Sequence, residues 1–109
     1  GKYIKKKWTE ISKKNNVRIS IRGLDPLPSF IFKNNNLIYK TFITQEMLKN
    51  KILATNTIYV SISHNKKNLK KYFNLLNKIF VIIAKCEKGD DIYKYFNNEI
   101  SRADFKRLN

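Results

Sequence analysis

Apolar residues recur at two different spacings along this chain, and the spacing changes from segment to segment. In residues 3–14 they return every three or four positions, which predicts an amphipathic helix with one buried face. Residues 17–22 alternate strictly, and residues 29–33 follow a proline-containing turn, so these segments predict a hairpin. The predicted buried positions are Ile4, Trp8, Ile11, Val17, Ile19 and Ile21, with Arg18, Ser20 and Arg22 on the opposite face of the first strand.

The rest of the chain predicts further helices and strands. After a polar break at residues 34–36, residues 41–50 predict a helix, and short strands are expected at residues 52–54 and 58–63. A long helix begins after Asn65 as N-cap and stops at Gly89, and Asp90 or Asp91 caps a last helix. The helix positions expected to be buried are Phe42, Met47, Leu48, Leu69, Tyr72, Phe73, Leu76, Ile79, Phe80, Ile83, Cys86, Ile92, Tyr95, Phe96 and Ile100.

These elements predict an α+β fold in the order α-β-β-α-β-β-α-α. A small antiparallel sheet of three or four strands would carry the helices on one face. With 109 residues and 42% apolar content, the chain is expected to be a single domain over residues 1–109.

The net charge is large, yet the charge and the cysteine content together exclude few classes of function. The net charge of +15 would ordinarily indicate nucleic acid or an anionic membrane as partner. However, lysine, asparagine and isoleucine, the residues of AT-rich codons, make up 48 positions, so we interpret the charge mainly as solvated surface and expect no nucleic acid partner.

A single cysteine excludes an internal disulfide and favours a cytoplasmic protein. The longest apolar run, residues 79–84, is too short to span a membrane.

Several short motifs occur in an order that resembles a known enzyme family. A helix closing on Met47-Leu48 leads into a short apolar strand, and the next strand closes on Ser63-His64 before a long amphipathic helix. With the hairpin at residues 17–33 and the FKRL sequence at residues 105–108, this resembles the C-terminal small domain of class-III pyridoxal-phosphate-dependent aminotransferases. The glutamate-1-semialdehyde aminomutase-like branch is the most similar. The sequence departs from the family at three positions: Lys51 stands where glycine is usual, Asn65 replaces threonine, and Asn68 replaces an acidic residue in the first turn of the long helix.

The resemblance implies that the chain is part of an aminotransferase or of an isomerase that shifts an amino group internally. The large domain of the parent, which is usually a homodimer, would supply the Schiff-base lysine and most contacts to pyridoxal phosphate. No cofactor is expected in this chain, whose isolated form should be inactive. The resemblance places Ser29 and Phe30 in the wall of the substrate pocket, and Arg22 is a candidate for holding a substrate carboxylate in two hydrogen bonds.

Other reactive side chains have ordinary structural interpretations. His64 lies at a strand-to-helix junction, where a local hydrogen bond accounts for it, and Cys86 is on the apolar face of its helix. One histidine without clustered thiolates or carboxylates gives no metal site.

A second interpretation comes from a different class of protein. If Val17, Ile19, Ile21 and Ile31 face the helices, the open face of the sheet carries aromatic residues next to arginines. Such a face would stack the bases of single-stranded nucleic acid. The residues concerned are Arg18, Arg22, Phe30, Phe32 and Tyr59. The order of elements is not that of an RNA-recognition motif, and that motif's signature is missing.

Overall fold

The computed structural model of the chain describes residues 2–23, 28–52 and 66–96. In chain order the elements are α1 (Lys2–Asn15), β1 (Ile19–Arg22), β2 (Ser29–Phe32), α2 (Asn36–Lys49), α3 (Lys66–Glu87) and a 3-10 helix (Ile92–Tyr95). The α+β class is confirmed, and the described part is rich in helix.

The predicted sheet of three or four strands is not matched, because the described sheet has two antiparallel strands. Ile52, the first residue of a predicted strand, instead closes the end of α2, where its N–H donates to the carbonyl of Met47. Residues 53 and 54, the predicted strand at residues 58–63, Asn65 and the terminal motif at residues 105–108 lie outside the described residues.

The core forms where α1 and α3 cover one face of the hairpin. Trp8 and Tyr72 are fully buried, and the Trp8 indole N–H donates to the Tyr72 hydroxyl across 3.1 Å. Phe30 lies beneath them, with its ring centroid 4.8 Å from that of Trp8 and 5.9 Å from that of Phe80. Edge-to-face rings at these separations add to the stability gained from apolar burial. The helix stripes predicted for α1 and for the central part of α3 are thus confirmed.

The pairing of the hairpin corrects the predicted faces of β2. Ile21 lies opposite Phe30, and Ile19 lies opposite Phe32. Since directly opposite residues of an antiparallel pair share a face, both phenylalanines join the core, while Ile31 lies on the outer face. The expectation that Ile31 faces the helices was wrong. The inward placement of Val17, Ile19 and Ile21 is confirmed.

Helix α2 begins five positions before the predicted start at residue 41, directly after the hairpin. The side-chain oxygen of Asn36 accepts the backbone N–H of Phe32 over 2.9 Å, so the polar break is a tight corner. Phe42 and Met47 are buried as predicted, but Leu48 is 52% exposed. Leu48 follows Met47 by about 100° around the helix, which turns it away from the core.

Each of the three described α-helices ends in the same hydrogen-bonded motif. At α2, the N–H of Lys51 donates to the carbonyl of Leu48 over 3.0 Å, and that of Ile52 donates to Met47 over 2.8 Å. This is the Schellman arrangement, which requires a left-handed residue just after the helix. That position is held by Asn16 (φ 56°), Lys51 (φ 61°) and Gly89 (φ 114°). Gly89 therefore ends α3 as predicted.

Candidate functional site

A groove runs along the free side of β1, between that strand and α1. It encloses about 770 Å³, and both walls contribute polar side chains. The lining residues are Thr9, Ser12, Lys13, Asn16, Val17, Arg18, Ile19, Ser20, Ile21, Arg22, Ile31, Phe32 and Lys33. The groove exists because α1 reverses into β1 through the left-handed Asn16, which holds the helix and the strand side by side.

The charges around this groove have one sign. Lys13 stands on the helix wall, Arg18 and Arg22 lie along the strand, and Lys33 follows β2. None of the described residues that line the groove carries a carboxylate. Cationic walls that lack acidic neighbours create a positive potential, which draws anionic groups into the groove.

The far end of the hairpin is fixed to α1. The ammonium of Lys5 donates to the carbonyl of Gly23 over 2.9 Å, and Gly23 has a positive φ of 86°. Arg22 pairs with Ser29 at this end of the ladder, and both lie on the outer face of the sheet. Arg22 is exposed and Ser29 is half-buried.

The three predicted pocket residues therefore occupy different environments. Arg22 and Ser29 are neighbours across the strands and remain accessible, whereas Phe30 is fully buried. Phe30 is one position further along β2 than Ser29 and so points to the other face of the sheet. The role of Arg22 and Ser29 in a substrate pocket stays a prediction, and Phe30 acts here as a core residue.

The nucleic-acid interpretation loses its aromatic platform. Phe30 is 0% and Phe32 is 3% exposed, so neither ring can stack on a base. Tyr59 lies outside the described residues. Arg18 and Arg22 do share the outer face, but they stand beside Ser20 and Ile31 rather than beside aromatic rings.

A second polar cluster joins the end of α3 to the corner between β2 and α2. The Tyr39 hydroxyl donates to one oxygen of Glu87 over 2.7 Å, and the amide of Asn34 donates to the other over 3.3 Å. Burial, followed by the hydrogen bond to Glu87, raises the pKa of Tyr39. The phenol stays protonated near neutral pH, and its hydrogen bond to Glu87 holds this corner together.

Cys86 and the possible metal ligands are the other reactive groups of the described residues. Burial, with Asp90 and Asp91 adding to it, raises the pKa of the Cys86 thiol to about 11, so the nucleophilic thiolate is scarce. Over the described ranges no three side chains of the metal-binding types come together. His64 lies outside these ranges. Among the helices of the described segments, none is both long enough and apolar enough to cross a membrane.

Sequence reasoning identified the arginines of this groove but missed Lys13 and Lys33. The alternation of β1 placed Arg18 and Arg22 on one face, and that signal works within a single strand. Lys13 and Lys33 come from other elements, and only the pairing of β1 with β2 and the reversal at Asn16 bring them to the groove.

Comparisons with protein-family models, with curated proteins and with solved structures give no match to this chain.

Proposed function

We propose that this chain is the C-terminal small domain of a pyridoxal-phosphate-dependent class-III aminotransferase, or of a glutamate-1-semialdehyde 2,1-aminomutase-like enzyme. In that enzyme it forms one wall of the substrate pocket. The large domain of the parent chain is its partner, and the parent is a homodimer. The chain on its own is inactive.

The conformation of Lys51 is the observation that carries this proposal. The resembled family usually has glycine at this position, and the backbone here has a φ of 61° at the close of α2. Glycine adopts such a φ without steric penalty, whereas a residue with a Cβ is strained. The left-handed backbone at Lys51 is thus a physical reason for the family to have glycine at this position. That reason depends on backbone geometry rather than on the similarity of the motifs.

The described residues do not fit the cofactor. A Schiff-base lysine needs an enclosed, largely desolvated position, and none of the described lysines is buried. The proposal therefore assigns the lysine and the cofactor contacts to the large domain. This chain would contribute shape and charge to the pocket.

Within this proposal, the outer end of the hairpin faces the substrate. The planar guanidinium of Arg22 can bind a carboxylate through two hydrogen bonds, and Ser29 lies directly across the ladder from it. Phe30 supports this end from the core side, where it packs against Trp8. The substrate proposed for this pocket therefore carries a carboxylate, which Arg22 would hold.

A chimeric enzyme tests the proposal. This chain replaces the C-terminal domain of a glutamate-1-semialdehyde aminomutase, and the cofactor absorbance of the purified chimera reports whether the large domain has folded. We expect a measurable turnover in the chimera. The Arg22→Ala variant should then raise the KM at least tenfold, since a charged hydrogen bond is worth about 1.5–3 kcal/mol.

Lys67→Ala is the matched control, because Lys67 is an exposed cation on α3, away from the hairpin groove. It should leave KM and kcat unchanged. A chimera that retains its cofactor but shows no turnover, or equal kinetics for Arg22→Ala and Lys67→Ala, would count against the proposed pocket wall.

A further inference from the structure

The backbone on the free side of β1 is available for pairing. The Lys33 N–H donates to the Arg18 carbonyl over 3.1 Å, which makes these two residues a hydrogen-bonded pair. Such pairs alternate along an antiparallel ladder, so Ser20 and Arg22 also bond to β2. The N–H and C=O groups of Ile19 and Ile21 therefore point to the opposite side, where the described sheet has no further strand.

This free edge opens directly into the groove. Both isoleucines line it, and their side chains are partly rather than fully buried. A strand of four residues offers an edge about 13 Å long. Residues of α1 line the groove beside this edge, and the groove volume of about 770 Å³ also extends to Ile31, Phe32 and Lys33. An extended segment added here would bond to the backbone of Ile19 and Ile21, as in other complexes formed by strand addition.

The side chains of the groove specify the chemistry of such a segment. On the outer face, an added strand would have Arg18, Ser20 and Arg22 as its neighbours across the ladder. On the other face it would meet Ile19 and Ile21, with Lys13 on the helix wall. Acidic residues of the added strand would pair with the arginines on the outer face, and apolar residues would pack against the isoleucines.

We propose that the groove between α1 and β1 binds an extended acidic peptide segment, in which carboxylate and apolar side chains alternate, as an added strand on β1. This proposal does not rest on the aminotransferase proposal, because its binding partner is recognised by the edge and the charges alone.

The test uses the complete chain and a blocked eight-residue peptide that alternates glutamate with valine and carries a fluorophore. We expect saturable binding by fluorescence anisotropy, with the largest amide NMR shifts at Ile19 and Ile21. The Arg18→Glu, Arg22→Glu double variant should weaken binding at least tenfold. The Lys67→Glu, Lys70→Glu variant makes the same change in net charge on α3 and should weaken binding less than threefold.

Two modified peptides separate strand addition from simple charge attraction. One is N-methylated at its valines and the other at its glutamates, and both keep all their charges. Because alternate N–H groups of an extended peptide point to opposite edges, each modified peptide loses the hydrogen-bond donors of one of its own two edges. We expect one of them to bind at least tenfold more weakly than the other. Because these peptides are titrated into the unaltered chain, they decide the question even where a charge-reversed variant does not fold.

Four results would overturn the proposal. The first is an absence of saturable binding. The second is equal weakening by the two charge-reversed variants, and the third is equal binding of the two methylated peptides, since either result shows nonspecific attraction. The fourth is displacement of the peptide from the Ile19 and Ile21 amides by a single-stranded oligonucleotide of equal charge at a lower concentration, because the groove would then be a phosphate-binding site.

Discussion

Replacing Lys51 by glycine should stabilise this protein. Lys51 occupies the left-handed position of the Schellman motif that ends α2, with a φ of 61°. Its N–H donates to Leu48, and the following Ile52 N–H donates to Met47. The motif is held because Met47 and Ile52 are both buried in the core. Lys51 itself is exposed. The substitution therefore removes little besides the strain of a Cβ in a left-handed conformation.

Two opposing effects set the size of the change. A left-handed conformation costs a residue with a Cβ about 1–2 kcal/mol, and glycine is relieved of it. Glycine also gives the unfolded chain more conformations to lose, which offsets the gain by about 0.4–1 kcal/mol. The difference between these two ranges is about 0–1.6 kcal/mol, and we expect a net increase near its middle, about 0.8 kcal/mol, in the free energy of unfolding. For a domain of this size, that corresponds to a rise of about 3–6 °C in Tm.

Urea unfolding followed by the fluorescence of Trp8, together with thermal unfolding, measures this difference. Lys51→Ala is the matched control: it removes the same charge but keeps a Cβ, so it should change stability by less than about 0.5 kcal/mol. Asn16→Gly should give a smaller gain than Lys51→Gly, because asparagine tolerates the left-handed region better than lysine does. Equal gains in Lys51→Gly and Lys51→Ala would refute the reasoning, since relief of charge repulsion would then be the cause. A loss of stability in Lys51→Gly would refute it as well.

Three further predictions concern the core, acid stability and the cofactor. Tyr72→Phe removes the acceptor of the buried Trp8 N–H, so it should lower the free energy of unfolding, measured in urea, by about 1–3 kcal/mol. The control Tyr3→Phe, at an exposed position, should leave the free energy of unfolding unchanged. Equal effects of the two substitutions would contradict this prediction. Hydrogen bonds from Lys94 and then from Tyr95 lower the pKa of Asp90 from 3.8 to about 2. The stability that this carboxylate contributes is therefore fully present above about pH 4 and is lost as the pH falls through 2. Asp90→Asn should lower Tm at pH 7 but not at pH 1.5. An equal difference in Tm between the variant and the original chain at both pH values would contradict this. Pyridoxal phosphate added to the isolated chain should give no saturable one-to-one aldimine absorbance and no turnover of an amino donor; saturable binding localised by amide shifts to residues 17–33 would contradict this.

Periodicity predicted the elements with one clear amphipathic face. Trp8 and its helix neighbours, and the stripe around Leu76 in α3, were placed correctly because lysines and asparagines occupy the other faces of these helices. The sequence predicted Asp90 or Asp91 as the cap of the last helix, and the structure shows that it is Asp91, whose side chain accepts the N–H of Tyr93 at the start of the 3-10 helix. These signals are local, so a single segment contains all the information needed.

The face of β2 could not be predicted, because its sequence is apolar on both sides. Phe30, Ile31 and Phe32 follow one another without a polar residue between them, so alternation gives no direction. The register with β1 decides it, and that register is a pairing between two strands that no single segment encodes. The groove was missed for a related reason, since its walls come from separate elements. The start of α2 was missed because Asn36 and its neighbours are typical of turns, whereas here the Asn36 side chain accepts from the backbone of β2.

The coding sequence directly upstream of Gly1 decides whether this chain is part of an aminotransferase. We expect the same reading frame to continue upstream into a large domain, with a lysine in the small-residue, glycine-rich context of a pyridoxal-phosphate Schiff base. Upstream coding sequence for a domain that lacks such a lysine, or a stop codon and an initiating codon immediately before Gly1, would contradict it.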